Sequence, residues 1–338
     1  MDIEDQIFQL SRPPKLAYID WKNAAHERAV VACLVQCVYV CERDRQMKPK
    51  GDKALAWCET FGFKLKRTLV DKADSSIFGA IFEYKPPPSS CNHSADGPRF
   101  VVAFRGTLLK IITLTRDIWL DILIGLNRLH FRSRCQTAIQ VVEDLVATAG
   151  DSREVWLTGH SLGSAIGMQA GKNMAKKGVC LKSFLFNPPY PSVPTEKWPR
   201  HLAKSALRAG LALVTQSPEK QEQSASSFAA CSPWVPQLFV NKDDVVCSGY
   251  IGYFKYQKGM LKYGLEDFAK FASQYSVRSM LVNVFRSENE ARVEPLHLIP
   301  SANLTINFSN QSECFRIAHS LSKWWGQDLQ LESKVYKN

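Results

Sequence analysis

The segment Val155-Trp156-Leu157-Thr158-Gly159-His160-Ser161-Leu162-Gly163 constrains this chain more than any other. A short apolar run, strand-like from Glu154 to Thr158, leads into G-x-S-x-G. A helix leaves it from Leu162 and stops at Gly178, with Lys176 and Lys177 suited to its C-terminal end. A serine on so sharp a strand-to-helix turn has its Oγ pushed out of the sheet, and the flanking glycines relieve the clash that side chains would cause there. The helix N-terminus below it stabilises developing negative charge. Ser164, Ala165, Gly167, Ala170 and Gly171 are small enough to let the helix lie close on the sheet. Ser161 is therefore the candidate nucleophile; the competing reading is a structural Gly-Ser turn.

A nucleophilic serine needs a base to take its proton and donors to hold an oxyanion. One donor in such a turn is the backbone N–H after the nucleophile, here Leu162. The other comes from a loop after an earlier strand. Ala103-Phe104-Arg105-Gly106-Thr107 ends such a strand and places Thr107 suitably, although an Arg-Gly turn closing a strand looks the same. The acid should follow the serine and precede the histidine. Leu238-Phe239-Val240 runs into Asn241-Lys242-Asp243-Asp244, where either aspartate, or simply a solvated turn, fits. Of seven histidines, His297 and His319 follow Asp244. His297 sits in the apolar run Pro295 to Ile299 and suits a core or edge position. His319, ahead of Trp324-Trp325, is the preferred base. His160 reads as structural, its side chain directed away from the serine.

Around these residues strands and helices alternate. A helix is expected from Asp20 to Asp44, and another from 133 to 148 with Ala138, Val141, Val142 and Leu145 as its stripe. Strands are expected at Ser75 to Tyr84, Arg99 to Arg105, Leu181 to Phe186 (halted by Asn187-Pro188-Pro189) and Gln237 to Val240. Pro86 to Pro98 is rich in breakers and reads as a loop. The pattern predicts an α/β fold, a mostly parallel sheet with helices on both faces. One domain spanning residues 1–338 is expected, with a mobile insertion around 190–232, where Gln216 to Ser227 is polar and poor in apolar residues. Ile118 to Leu126 (IWLDILIGL) reads either as a lid or acyl-chain wall or as an ordinary buried helix.

Composition excludes more than it identifies. A chain of 338 residues with 45% hydrophobic and 22% charged residues needs no covalent staple to fold. Its formal net charge of +11 biases it toward anionic partners. But the basic residues are scattered, and no nucleic-acid motif accompanies them. The expected consequence is a soluble surface with weak affinity for anionic membranes and none for nucleic acid. MDIEDQIFQL is no secretory signal, and no run of 18 apolar residues is evident. The expected compartment is cytoplasmic, with the ten cysteines reduced. Cys33, Cys37 and Cys41 share a helical face but lack further ligands for a metal, so they read as buried thiols. Neither metal nor cofactor is expected. The sequons at Asn92, Asn303, Asn307 and Asn310 read as chance. Oligomeric state is not legible.

These segments resemble the class 3 lipase branch of the α/β-hydrolases. More closely they resemble a plant family of lipase-like proteins labelled GDSL esterase/lipase. The resemblance runs nearly end to end, through AYIDWKNAAHERAVVACLVQCVYVCERDRQ, ADSSIFGAIFEYKP, VVAFRGT, WLTGHSLGSA, SFLFNPPYPSVP, LFVNKDDVVCSGYIGYF, EPLHLIPSANLTIN and AHSLSKWW. The chain contains no Gly-Asp-Ser-Leu block; its serine motif is GHSLG. The resemblance implies an α/β-hydrolase fold and metal-free hydrolysis of acyl glycerols or other lipid esters. It implies Ser161 as nucleophile, Asp244 rather than Asp243 as acid (from its spacing to Cys247-Ser248), His319 as base and Thr107 as an oxyanion donor. The plant family commonly has a second histidine shortly after the first, where this chain has Ser322. The alternative expectation is a catalytically silent hydrolase fold that binds a ligand or a membrane surface.

Overall fold

The computed structural model describes residues 16, 18–47, 58–85, 97–107, 129–190, 226–262, 298–309, 315–326 and 329–337. The strands are β1 (Phe63–Val70), β2 (Ile77–Tyr84), β3 (Phe100–Phe104), β4 (Val155–His160), β5 (Ser183–Phe186), β6 (Gln237–Asn241), β7 (Ala302–Asn307) and β8 (Leu331–Tyr336). They form an eight-stranded sheet in sequence order. β1, β2 and β3 pair antiparallel, β3 to β7 run parallel, and β8 returns antiparallel on β7. The helices are α1 (Ala24–Met47), α2 (Leu129–Ala149), α3 (Leu162–Lys176), α4 (Gly249–Lys262) and the short α5 (Phe315–Ala318).

Helices cover both faces, as parallel strands require. Val101 and Ala103 of β3, with Trp156, Phe184, Phe186 and Phe239, join the core under α1. The alternate β3 residues Phe100, Val102 and Phe104 join the core under α2 and α3. A third cluster links Met168 and Ala175 of α3 to Leu238, Val240, Leu304 and Ile306, and to Tyr250 and Phe254 of α4. The parallel centre, the two-sided helical cover and the tight turn after β4 make this an α/β-hydrolase fold.

Several expectations shift. The first helix starts at Ala24 rather than Asp20 because Asn23 caps it, accepting from the Ala25 N–H at 2.9 Å. Asp20 instead closes a turn on the Lys22 N–H. This helix has no run of 18 apolar residues, yet it approaches the composition of a membrane span. By length and composition alone Ala24–Gln46 could cross a membrane, its most apolar 18-residue window having a mean hydropathy of 1.3. It lies instead within the protein core against the sheet, with Val30 to Val35 at 0–1% exposure. β1 is an edge strand with Lys64, Lys66 and Arg67 exposed, a usual way to blunt a sheet edge. α4, β7 and β8 have no counterpart among the sequence expectations. Ile118 to Leu126 and 191–225 of the expected insertion lie outside the described residues, as do Asn92 and Asn310. Asn303 and Asn307 are in β7, and Asn307 is buried with its amide donating to the Lys323 carbonyl. The eight described cysteines are not in disulfides.

Candidate active site

Ser161 sits between β4 and α3 with φ 54° and ψ −126°, a backbone region that costs a non-glycine residue on the order of 1–3 kcal/mol. Neighbouring strands and the helix hold it there. Its N–H donates to the Phe186 carbonyl at the end of β5 (2.9 Å). As the residue preceding α3 it could cap the helix with its hydroxyl, yet the side chain makes no capping hydrogen bond. The two glycines of the motif are fixed by close approach. A Cβ on Gly159 would lie 2.5 Å from the Gly163 carbonyl oxygen, and one on Gly163 would lie 2.3 Å from the Phe104 carbonyl oxygen. Leu162 follows as the first, buried residue of α3.

The loop after β3 abuts the serine. A Cβ on Gly106 would meet the Ser161 Cβ at 2.8 Å. Arg105 holds this loop from below. Its Nε donates to the Ile77 carbonyl (2.5 Å) and an Nη to the Gly106 carbonyl (2.7 Å). Buried Glu42 lies 3.8 Å from the guanidinium and accepts from the Ile77 N–H. Burial alone would raise the Glu42 carboxyl; the hydrogen bonds from Arg45, Ile77 and Gln46 and the Arg105 charge hold it below its ordinary value. Thr107 follows Gly106 and is exposed.

His319 follows α5 and is 7% exposed. Its Nδ1 lies 2.7 Å from Asp244 Oδ2, so Nδ1 carries the proton that the carboxylate accepts, and Nε2 is the basic nitrogen of that tautomer. The Ala318 carbonyl accepts from the Asn241 amide (2.9 Å), tethering the histidine turn to β6. Asp244 is fully buried. Burial would raise its carboxyl, but the His319 charge and hydrogen bonds from His319, Asn187 and Val246 hold it below the usual aspartate range. Asp243, the other candidate, is half-buried, and its N–H donates to Asn241 Oδ1.

His160, the residue before the serine, joins these pieces. Its Nε2 lies 2.9 Å from the His319 carbonyl oxygen, so Nε2 must donate. Nδ1 must then accept, and the Tyr39 hydroxyl at 2.9 Å donates to it. The Tyr39 oxygen in turn accepts from the Gly106 N–H at 2.7 Å. One directed chain of hydrogen bonds thus runs from the β3 loop through α1 and the serine turn to the histidine turn. The rings of His160 and His319 lie 4.9 Å apart. Burial, then the neighbouring His319 charge, pushes the His160 imidazole down to about 3, so it stays neutral. The expected structural role of His160 fits this geometry. Burial pushes the Tyr39 phenol up to about 12.

The structure therefore brings Ser161, the Gly106-Thr107 loop, Asp244 and His319 to the carboxyl end of the parallel strands. His297 lies outside the described residues. Sequence reasoning missed Tyr39, Asn187, Asn241 and the Glu42–Arg105 pair. Tyr39 was only a position in an apolar helix, and Asn187 only the stop of a strand. Among the described residues no group of three or more His, Cys, Asp or Glu could hold a metal ion.

Over 350 residues the chain is 41% identical to an Arabidopsis thaliana protein named GDSL esterase/lipase, a match covering 98% of this chain and 97% of that protein. The chain belongs to this esterase/lipase family. The family label does not describe the serine motif of this member, which is GHSLG within a chain lacking Gly-Asp-Ser-Leu. A scan of protein-family profiles gives no match. Solved structures similar to this esterase/lipase family member include a lipase from Rhizopus microsporus var. chinensis, with TM-score 0.37 and 17% identity over 70% of this chain and 74% of the other. An extracellular lipase from Serratia marcescens gives TM-score 0.27 and 14% identity over 44% of this chain and 28% of the other.

Proposed function

We propose that this esterase/lipase family member is a class 3 lipase-like serine hydrolase that cleaves carboxylic esters, lipid acyl esters foremost, through Ser161, His319 and Asp244. The observation that carries this reading is a serine held at φ 54° on a strand-to-helix turn, at the same sheet end as a buried His319–Asp244 pair 2.7 Å apart. His319 Nε2 takes the Ser161 proton as Oγ attacks the ester carbonyl. The backbone N–H groups of Leu162 and Thr107 hold the resulting oxyanion. His319 then protonates the departing alcohol, leaving an acyl-serine. Water, deprotonated by His319, attacks that ester, and collapse returns the proton to Ser161 and releases the acid. Asp244 fixes the histidine tautomer and stabilises the imidazolium throughout.

The +11 charge and the exposed basic residues of β1 support a weak peripheral association with anionic bilayers. The thiols of the described cysteines suit a reducing, cytoplasmic compartment. Hydrolysis of p-nitrophenyl esters of increasing acyl length tests the reaction. Wild type should turn over at least one ester, and Ser161→Ala and His319→Ala should each lose about 10³-fold or more in kcat. A lipase should favour the longer chains. Equal turnover by wild type and Ser161→Ala would refute the reading.

A further inference from the structure

Asp244 Oδ2 receives more than the histidine. The Asn187 side-chain amide donates to the same oxygen at 2.5 Å, and the Cys247 thiol does so at 3.2 Å, while the Val246 N–H takes Oδ1 at 3.0 Å. Burial, then the neighbouring Asp244 charge, pushes the Cys247 thiol up, so it remains a neutral donor. Asn187 is wholly buried and sits at φ 45°, a region asparagine tolerates better than most residues. Its N–H donates to the Phe239 carbonyl of β6. Its side-chain oxygen accepts from the Trp324 indole N–H at 2.6 Å. The amide can face only one way. An indole N–H is purely a donor and must meet the oxygen, and a carboxylate is purely an acceptor and must meet the nitrogen. The Trp324 carbonyl in turn accepts from Arg28 of α1.

Resting on the reading of Asp244 as the acid, we propose that Asn187, oriented by Trp324, is a positioning residue that fixes the Asp244 carboxylate and limits the charge it offers His319. Because the amide shares Oδ2 with His319 and the Cys247 thiol, it withdraws charge that the imidazolium would otherwise attract. Without it the carboxylate gains freedom to rotate, and His319 becomes more basic.

The test compares wild type with Asn187→Gly, Asn187→Asp and Trp324→Phe, reading kcat and KM on a short p-nitrophenyl ester and the His319 titration by NMR. Asn187→Gly keeps the left-handed backbone available. It should lower kcat about tenfold or more, the loss of one hydrogen bond to a charged group. KM should stay within about twofold, and the His319 titration and the acidic limb of kcat/KM should both move to higher pH. Asn187→Asp is isosteric and keeps an acceptor for Trp324, but it sets an acceptor against an acceptor at Oδ2. With a second buried carboxylate beside Asp244 it should be the most damaging of the three. Trp324→Phe should move kcat and the titration in the same direction by less, and it decides the matter if the Asn187 variants do not fold. The titration needs no turnover, so it tests Asn187 even should Ser161 prove unreactive. An Asn187→Asp enzyme as active as wild type, or a His319 titration unmoved in Asn187→Gly or Trp324→Phe, would overturn the proposal.

Discussion

Ser161 holds a backbone conformation that serine does not choose for itself, and the strain serves to present the hydroxyl. Two variants that both lack the hydroxyl should therefore differ in stability. Ser161→Gly should unfold at higher denaturant than Ser161→Ala, by about 1 kcal/mol, because glycine adopts positive φ freely. Equal midpoints would show that the turn is not strained. Gly106 is the other sensitive position. An added Cβ would lie 2.7 Å from the Tyr39 hydroxyl and 2.8 Å from the Ser161 Cβ. Gly106→Ala should thus push the loop off the serine, cutting kcat by about 10²-fold with the protein still folded by circular dichroism. The serine was legible because its chemistry demands a local pattern, glycine two residues either side. The acid and base were narrowed by chain order, and the choice between Asp243 and Asp244 came from the family resemblance. Asn187 and Tyr39 were not legible. Their partners lie 57 and 121 positions away in the chain, and nothing local marks an asparagine before two prolines as more than a strand end.

α3 is the element that carries the serine, and it can lie on the sheet only because its inner face is small. Where Gly171 faces Trp234, an added Cβ would lie 2.2 Å from the indole, whose N–H is already committed to the Leu181 carbonyl. Gly171→Ala should therefore destabilise the protein by about 1–3 kcal/mol, measured by urea unfolding, while kcat per folded molecule changes little. A neutral effect would mean the tryptophan relocates without cost. β2 to β6, α2 and α3 were legible because both sides of these strands are mostly buried and the helices carry clear apolar stripes. β1 and β8 were not, since each is an edge strand with half or more of its residues exposed and so lacks the regular alternation that reveals a strand. The apolar α1 was legible as a helix, but only packing shows that it is a core element rather than a membrane span.

At the scale of the whole molecule, acid should unfold this protein through a group that takes no part in the proposed chemistry. His160 is held at about 3 against an ordinary 6.5, first by burial and then by the charge of His319. Between those values the unfolded chain binds a proton that the folded one refuses. The stabilisation is therefore complete above 6.5 and is lost progressively as pH falls toward 3, on the order of 5 kcal/mol in all. Asp244 acts in the same sense further down. Its depressed folded value gives stability that is present above the ordinary aspartate value and lost below it. Unfolding free energies at pH 7.5, 6 and 5 should fall steadily in wild type and less steeply in His160→Gln; parallel slopes would contradict this. The central claim, a reactive serine at the turn after β4, is tested most directly by treating the purified protein with a fluorophosphonate probe and locating the adduct by mass spectrometry. The account predicts one phosphonyl group, on the peptide containing Ser161, absent from Ser161→Ala and strongly reduced in His319→Ala. Folded wild type that takes up no probe, or that takes it up equally well without Ser161, would contradict it.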